Sequence, residues 1–174
     1  MLTIRNTSAL LCGILFLAVT ACGGGKDQPE APATSSVTDT TPVAPTTTVA
    51  SAGETEYQRC VVCHQANGAG VPSAFPPLAG SEYVNGPADR MVAIILHGMQ
   101  GPITVAGATY NGMMMPYGTG VAMTDDQVAS VATYVRSSFG NSGSAVTTAD
   151  VVRVREKTKS RTTPWTVAEL ESIK

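Results

Sequence analysis

The pentapeptide Cys60-Val61-Val62-Cys63-His64 constrains this chain more than any other feature. Two cysteines two residues apart, with a histidine directly after, form an attachment site for c-type haem. The two thiols add across the two vinyl groups on one porphyrin edge, and His64 is then set under the iron as its proximal ligand. Other uses of the same residues fit less well. A structural zinc takes four ligands, and outside the motif the chain offers only Cys12, Cys22 and His97. A redox dithiol or a disulfide does not need the histidine, and no strand–helix–strand pattern surrounds the motif. Aromatic residues make up only 5% of the chain, and one buried haem would supply the missing flat apolar mass.

A proximal histidine leaves a sixth iron position. Filled by a thioether, it makes the haem a dedicated electron carrier of raised potential. Left open, it suits a haem sensor or a peroxidase-like protein. Downstream lies Asn111-Gly112-Met113-Met114-Met115-Pro116-Tyr117-Gly118. Methionine is a soft ligand, and proline flanked by glycine makes a stiff loop. Methionine also fills irregular cores, but three in a row in a Gly/Pro loop are not easily core. Met115 is the favoured ligand because the adjacent proline fixes its backbone; Met114 and then Met113 follow.

The N-terminus reads as a targeting segment. Arg5 precedes an apolar run, Ala9 to Val19, that is too short to span a bilayer. It ends in Val19-Thr20-Ala21-Cys22, which resembles a bacterial lipobox. Residues 1–21 are therefore expected to be a lipoprotein signal peptide and Cys22 the acylated residue. Residues 22–52 are poor in apolar periodicity and rich in Gly, Pro and Thr, and are expected to be a disordered, lipid-anchored linker. About 30 such residues reach roughly 30 Å on average and about 100 Å at the limit. The expected location is the periplasmic side of a bacterial membrane. Net charge is −2, which gives no overall case for nucleic acid as a partner.

Residues 53–141 form the expected globular domain, with three helix-like segments. The first runs from about Ala52 to Val62 and carries Glu54 and Glu56 in its first turn. The second starts near Pro87, with Met91, Ile94, Ile95 and Gly98 at helical spacing. The third opens on Thr124-Asp125-Asp126-Gln127, a capping-box pattern. Val128, Val131, Ala132 and Val135 follow on one face, and Gly140 stops it. Between the second and third helices the chain is too rich in glycine for regular helix, though Ile103 to Val105 suits a short strand.

The order of Cys-x-x-Cys-His, Phe75-Pro76-Pro77-Leu78-Ala79-Gly80, Tyr110-Asn111-Gly112 through Met115-Pro116, and a helix containing Tyr134-Val135-Arg136 resembles the class I c-type cytochromes. It is most similar to single-haem domains that accompany bacterial quinoprotein dehydrogenases and some copper nitrite reductases and oxidases. The resemblance implies an all-α, class I cytochrome c fold, with three main helices around one covalently bound haem c and a short helical C-terminal extension. It implies a periplasmic carrier of single electrons, not an enzyme, whose partners are a quinoprotein dehydrogenase, a nitrite reductase or a terminal oxidase. It gives Pro76 the carbonyl that accepts the proximal histidine's ring N–H. Leu78 becomes an apolar wall of the haem, and Tyr110 and Arg90 candidates for the propionates. Gly53 and Tyr57 should meet Val131 and Tyr134 where two helices cross. The family pattern needs one methionine before the proline; this chain has three.

Residues 142–174 change character. Thr148 is placed to cap a short helix through Arg155. The run 153–161 holds five basic residues and one acidic, while the core 53–140 is net acidic. The extension is expected to fold back on that core with Trp165 as its apolar anchor, or else to dock a redox partner. Thr166-Val167-Ala168-Glu169 is a second capping box before Leu170. His97 ends the second helix, where a basic side chain suits the helix dipole. That makes it a cap or core-edge residue, not a second haem ligand.

Overall fold

The computed structural model describes residues 46–117 and 122–173. The expected signal peptide, the expected acylation site Cys22 and the expected linker up to Pro45 lie outside the described residues, as does Gly118 of the methionine loop.

Helix α1 spans Thr46–Tyr57, beginning six residues before the expected start at about Ala52. It does not run on through the motif. Gln58, Arg59 and Cys60 each bond three residues back, at 3.3, 3.2 and 2.8 Å. That tightening ends one helix before a new turn, α2 (Val61–His64), begins. The expected single helix over 52–62 is thus corrected to two.

Helix α3 (Glu82–Asn85) is followed by α4 (Ala88–His97), entered through Pro87. Met91, Val92, Ala93, Ile95 and Leu96 of α4 are buried. Helix α5 (Asp125–Ser137) carries the capping box foreseen for it: Thr124 and Gln127 satisfy each other's backbone N–H. Its Val128, Ala129, Val131, Ala132 and Val135 are buried against α1 and α4.

The α1–α5 crossing is very close. A Cβ on Gly53 would lie 2.3 Å from the Ser130 carbonyl oxygen and 2.6 Å from Tyr134 Cβ. Just beyond, the rings of Tyr57, Tyr134 and Phe139 stack mutually with centroids 5.2–5.8 Å apart.

The all-α expectation needs correction. Met99–Val105 (β1) and Ala108–Met114 (β2) pair antiparallel as a hairpin, with Val105 opposite Ala108 and Met99 opposite Met114. Its two-residue turn, Ala106-Gly107, has φ of 49° and 79°, the geometry that lets a tight hairpin follow the strand twist. Glu82 fastens the turn to α3, its carboxylate oxygens each 3.1 Å from Ala106 N.

The C-terminal segment packs against α4 and α5. Helix α6 (Thr148–Thr158) is capped by Thr147, one residue before the expected cap, with Asp150 completing the box. Arg153 reaches Asp89 at 2.6 Å and Arg155 reaches Asp125 at 2.7 Å, so basic run meets acidic core. Trp165 is 6% exposed, and α7 (Val167–Leu170) is capped by Thr166 with Glu169. No helix among the described residues is long and apolar enough to cross a membrane.

Candidate haem site

Helix α2 presents Cys60, Cys63 and His64 to one cavity of about 320 Å³. Pro76, Leu78 and Met115 line the same cavity, so all six residues expected at the site come together there. Met113, Met114 and Tyr110 line it too, with an apolar wall that includes Ile94 and Ile95 from α4 and Val131 and Val135 from α5.

His64 is 9% exposed, and burial pulls its pKa below the ordinary value despite an opposing bond to Pro76. Its Nδ1 lies 3.0 Å from the Pro76 carbonyl oxygen. A carbonyl only accepts, so Nδ1 carries the proton and Nε2 keeps its lone pair for a metal. The loop from α2 to Pro76 is folded to permit this. Gly70 N donates to the His64 carbonyl at 3.0 Å. With φ of 66°, Gly70 sits where a Cβ would be 2.6 Å from the Pro76 oxygen itself.

The two thiols are both free. Burial raises the Cys60 pKa to about 11, against a hydrogen bond from Tyr117 that lowers it. Among the described residues no three His, Cys, Asp or Glu side chains converge as a metal-holding group. Two free thiols, an imidazole with Nε2 unprotonated and apolar walls around one cavity fit a covalent haem.

The three methionines occupy different settings. Met114 shares a strand face with buried Tyr110 and packs against the core. Met113 faces the other way and is 58% exposed. Met115 has left the strand, stands before Pro116, and is 57% exposed.

Some expected roles move. Arg90 does not line the cavity; its guanidinium donates to the Ile173 and Glu171 carbonyls at 3.0 and 3.3 Å. Arg59, paired with Glu56 at 2.9 Å, is the basic side chain at the cavity instead. His97 meets Thr158 Oγ1 at 2.7 Å and the edge of the Trp165 ring, away from the cavity.

The hydrogen-bonding roles of three supporting residues escaped the sequence reading. Tyr57 donates its hydroxyl to the Gln65 carbonyl at 2.7 Å, holding the end of the motif; burial above all raises its pKa to about 12. Buried Asn141 donates to the Leu78 and Val135 carbonyls at 3.0 and 2.9 Å and accepts from Gly80 N and Asn85 Nδ2, both at 2.9 Å. It thereby fixes the Leu78 loop to α5. Arg136, 3% exposed, donates to the carbonyls of Val84, Gly86 and Ser144.

Fold and site together define a helical domain built to hold one haem by two thioether bonds. Comparison with known proteins agrees. The family model described as cytochrome c matches residues 50–139. Cytochrome c-552 of Thermus thermophilus is 37% identical over 89 residues, which cover 49% of this chain and 66% of that protein. The cytochrome c subunit of the quinone alcohol dehydrogenase of Gluconacetobacter polyoxogenes is 34% identical over 106 residues, 59% of this chain and 22% of that one. The matched stretch thus spans less than two thirds of either relative. The chain belongs to the cytochrome c family, and its cofactor is haem c.

Proposed function

We propose that this protein is a periplasmic, membrane-tethered carrier that passes single electrons between redox partners, with His64 and Met115 as the axial ligands of its haem. The observation that carries the reading is the 3.0 Å bond from His64 Nδ1 to the Pro76 carbonyl, which dedicates Nε2 to the iron. When bound, the haem supplies a one-electron ferric/ferrous couple.

The chain's residues do the rest. Cys60 and Cys63 hold the cofactor through two thioethers. Leu78, Ile94, Ile95 and Val135 exclude water from the cavity, which favours the less charged, reduced state. Met115 is the favoured ligand of the three cavity-lining methionines, because it has left the strand and the adjacent Pro116 fixes its backbone, while Met114 packs against the core and Met113 turns to the opposite strand face. Its thioether raises the potential further. Electron transfer needs no general acid, base or nucleophile.

The sequence Val19-Thr20-Ala21-Cys22 and the Gly-, Pro- and Thr-rich run after it support a lipidated Cys22 and a tethered location, in which the haem domain searches for partners from the membrane. A quinoprotein dehydrogenase is the partner class best supported, since one relative is the cytochrome subunit of a quinone alcohol dehydrogenase; a nitrite reductase or terminal oxidase would use the same site. A potentiometric titration of the holoprotein tests the function. One reversible one-electron couple, with reduced protein that binds carbon monoxide poorly, is expected. Ready carbon monoxide binding would favour the sensor or peroxidase-like alternative with an open sixth position.

A further inference from the structure

We infer that Trp165, which does not line the cavity, is a positioning residue for the methionine loop and hence for the sixth iron ligand; the second half of this rests on the His64/Met115 reading above. The contacts form a row three strands wide. Met99 pairs antiparallel with Met114 on one side and makes a parallel bridge with Trp165 on the other. Trp165 N donates to the Gly98 carbonyl at 3.0 Å, and Gln100 N donates to the Trp165 carbonyl at 2.8 Å.

The indole is what holds that segment in place. Its Nε1 donates to the Ala93 carbonyl of α4 at 3.0 Å, and the Arg161 guanidinium carbon lies 3.5 Å from the ring centroid. Gly98 transmits the contact. Its φ is 75°, and a Cβ there would sit 2.3 Å from the Met114 carbonyl oxygen and 2.8 Å from Pro116 N. The same residue thus touches Trp165 with its carbonyl and the methionine loop with its Cα. Past Pro116, Tyr117 N donates to the Ile95 carbonyl at 3.0 Å. Met115 is therefore held between two fixed points, Met114 on the sheet and Tyr117 on α4. Without Trp165, β1 becomes an uncovered edge and the first fixed point loosens. Local opening of such a segment does not need global unfolding.

The test uses the full-length holoprotein with Trp165→Ala, Trp165→Phe and a control, Val154→Ala. Val154 is 1% exposed on α6, which packs on α4 and α5, so its truncation destabilises the same extension from a different element. Three readouts are compared: the thioether-to-iron charge-transfer band of the oxidised protein, the rate of carbon monoxide binding to the reduced protein, and hydrogen exchange at the Tyr117 amide. In Trp165→Ala the band weakens, carbon monoxide binds at least about tenfold faster and the Tyr117 amide exchanges at least about tenfold faster, while Val154→Ala stays near wild type. Trp165→Phe, keeping a ring without the N–H, falls between. Wild-type values in Trp165→Ala, or equal losses in Val154→Ala, would overturn the inference. If wild type itself lacks the band, the ligand reading fails on its own; faster Tyr117 exchange confined to the Trp165 variants would then still establish the positioning role, and unchanged exchange would refute it.

Discussion

His64 and Pro76 are joined by a 3.0 Å hydrogen bond from the imidazole Nδ1 to the proline carbonyl oxygen, across twelve residues of loop. The bond fixes both the tautomer and the plane of the ring. It depends on a glycine: Gly70 passes so close to the Phe75 and Pro76 carbonyls that a Cβ would lie 2.3 and 2.6 Å from them. Gly70→Ala is therefore expected to displace the Pro76 carbonyl. Measured by potentiometry, the variant should titrate at a shifted potential, because the imidazole loses the acceptor that raises its basicity. An unchanged potential would separate the loop from the tuning of His64.

The α1–α5 crossing leaves no room for a side chain at position 53. Gly53→Ala forces apart two backbones that now meet at van der Waals limit, and is expected to cost about 3 kcal/mol in denaturant unfolding, the upper range for overpacking. An effect below about 0.5 kcal/mol, the level of an ordinary surface change, would show that the crossing relaxes freely.

Arg136 donates to three carbonyls, those of Val84, Gly86 and Ser144. Arg136→Met leaves them without their donor, at about 1–3 kcal/mol for each that stays buried. A loss of about 3 kcal/mol or more in global stability is expected, with Arg136→Lys recovering only part because an ammonium lacks the guanidinium's fork.

The extension has its own acid limit. Asp150 is held at about 2, first by the Thr147 hydroxyl and then by Arg153. Glu169 is also held at about 2, by Arg161 first and then by the Thr166 amide and hydroxyl. Folded values below the unfolded ones mean that both carboxylates stabilise the fold fully above about pH 4 and lose that effect as pH falls toward about 2. Trp165, the only tryptophan, reports on the segment between them. Its emission should change between about pH 4 and 2, and the change should shrink in an Asp150→Asn, Glu169→Gln double variant.

How much of this was legible depended on how local the signal was. The haem motif is five consecutive residues with a chemical reason for each gap. The boxes at Thr124/Gln127 and Thr166/Glu169 are equally local, and both helices start where those residues place them. Of the hairpin only Ile103 to Val105, the end of β1, was legible as strand, because Gly101, Gly107 and Gly112 interrupt the alternation that marks strands. Its pairing depends on a turn with two positive φ values, one of them at Ala106, a residue that does not announce it. Arg136 and Asn141 were hidden for a different reason. Their partners Val84 and Leu78 lie 52 and 63 residues away, and are backbone carbonyls that carry no side-chain signature. Pro76 reached the site through resemblance alone, since its role too belongs to a carbonyl.

The most direct measurement is the absorption spectrum of the oxidised holoprotein, taken for wild type and for Met113→Ala, Met114→Ala and Met115→Ala. A thioether-to-iron charge-transfer band is expected in wild type, in Met113→Ala and in Met114→Ala. It should vanish in Met115→Ala, with the haem still held covalently by Cys60 and Cys63. A wild-type spectrum without the band, or a band that survives Met115→Ala, would contradict ligation of the iron by His64 and Met115.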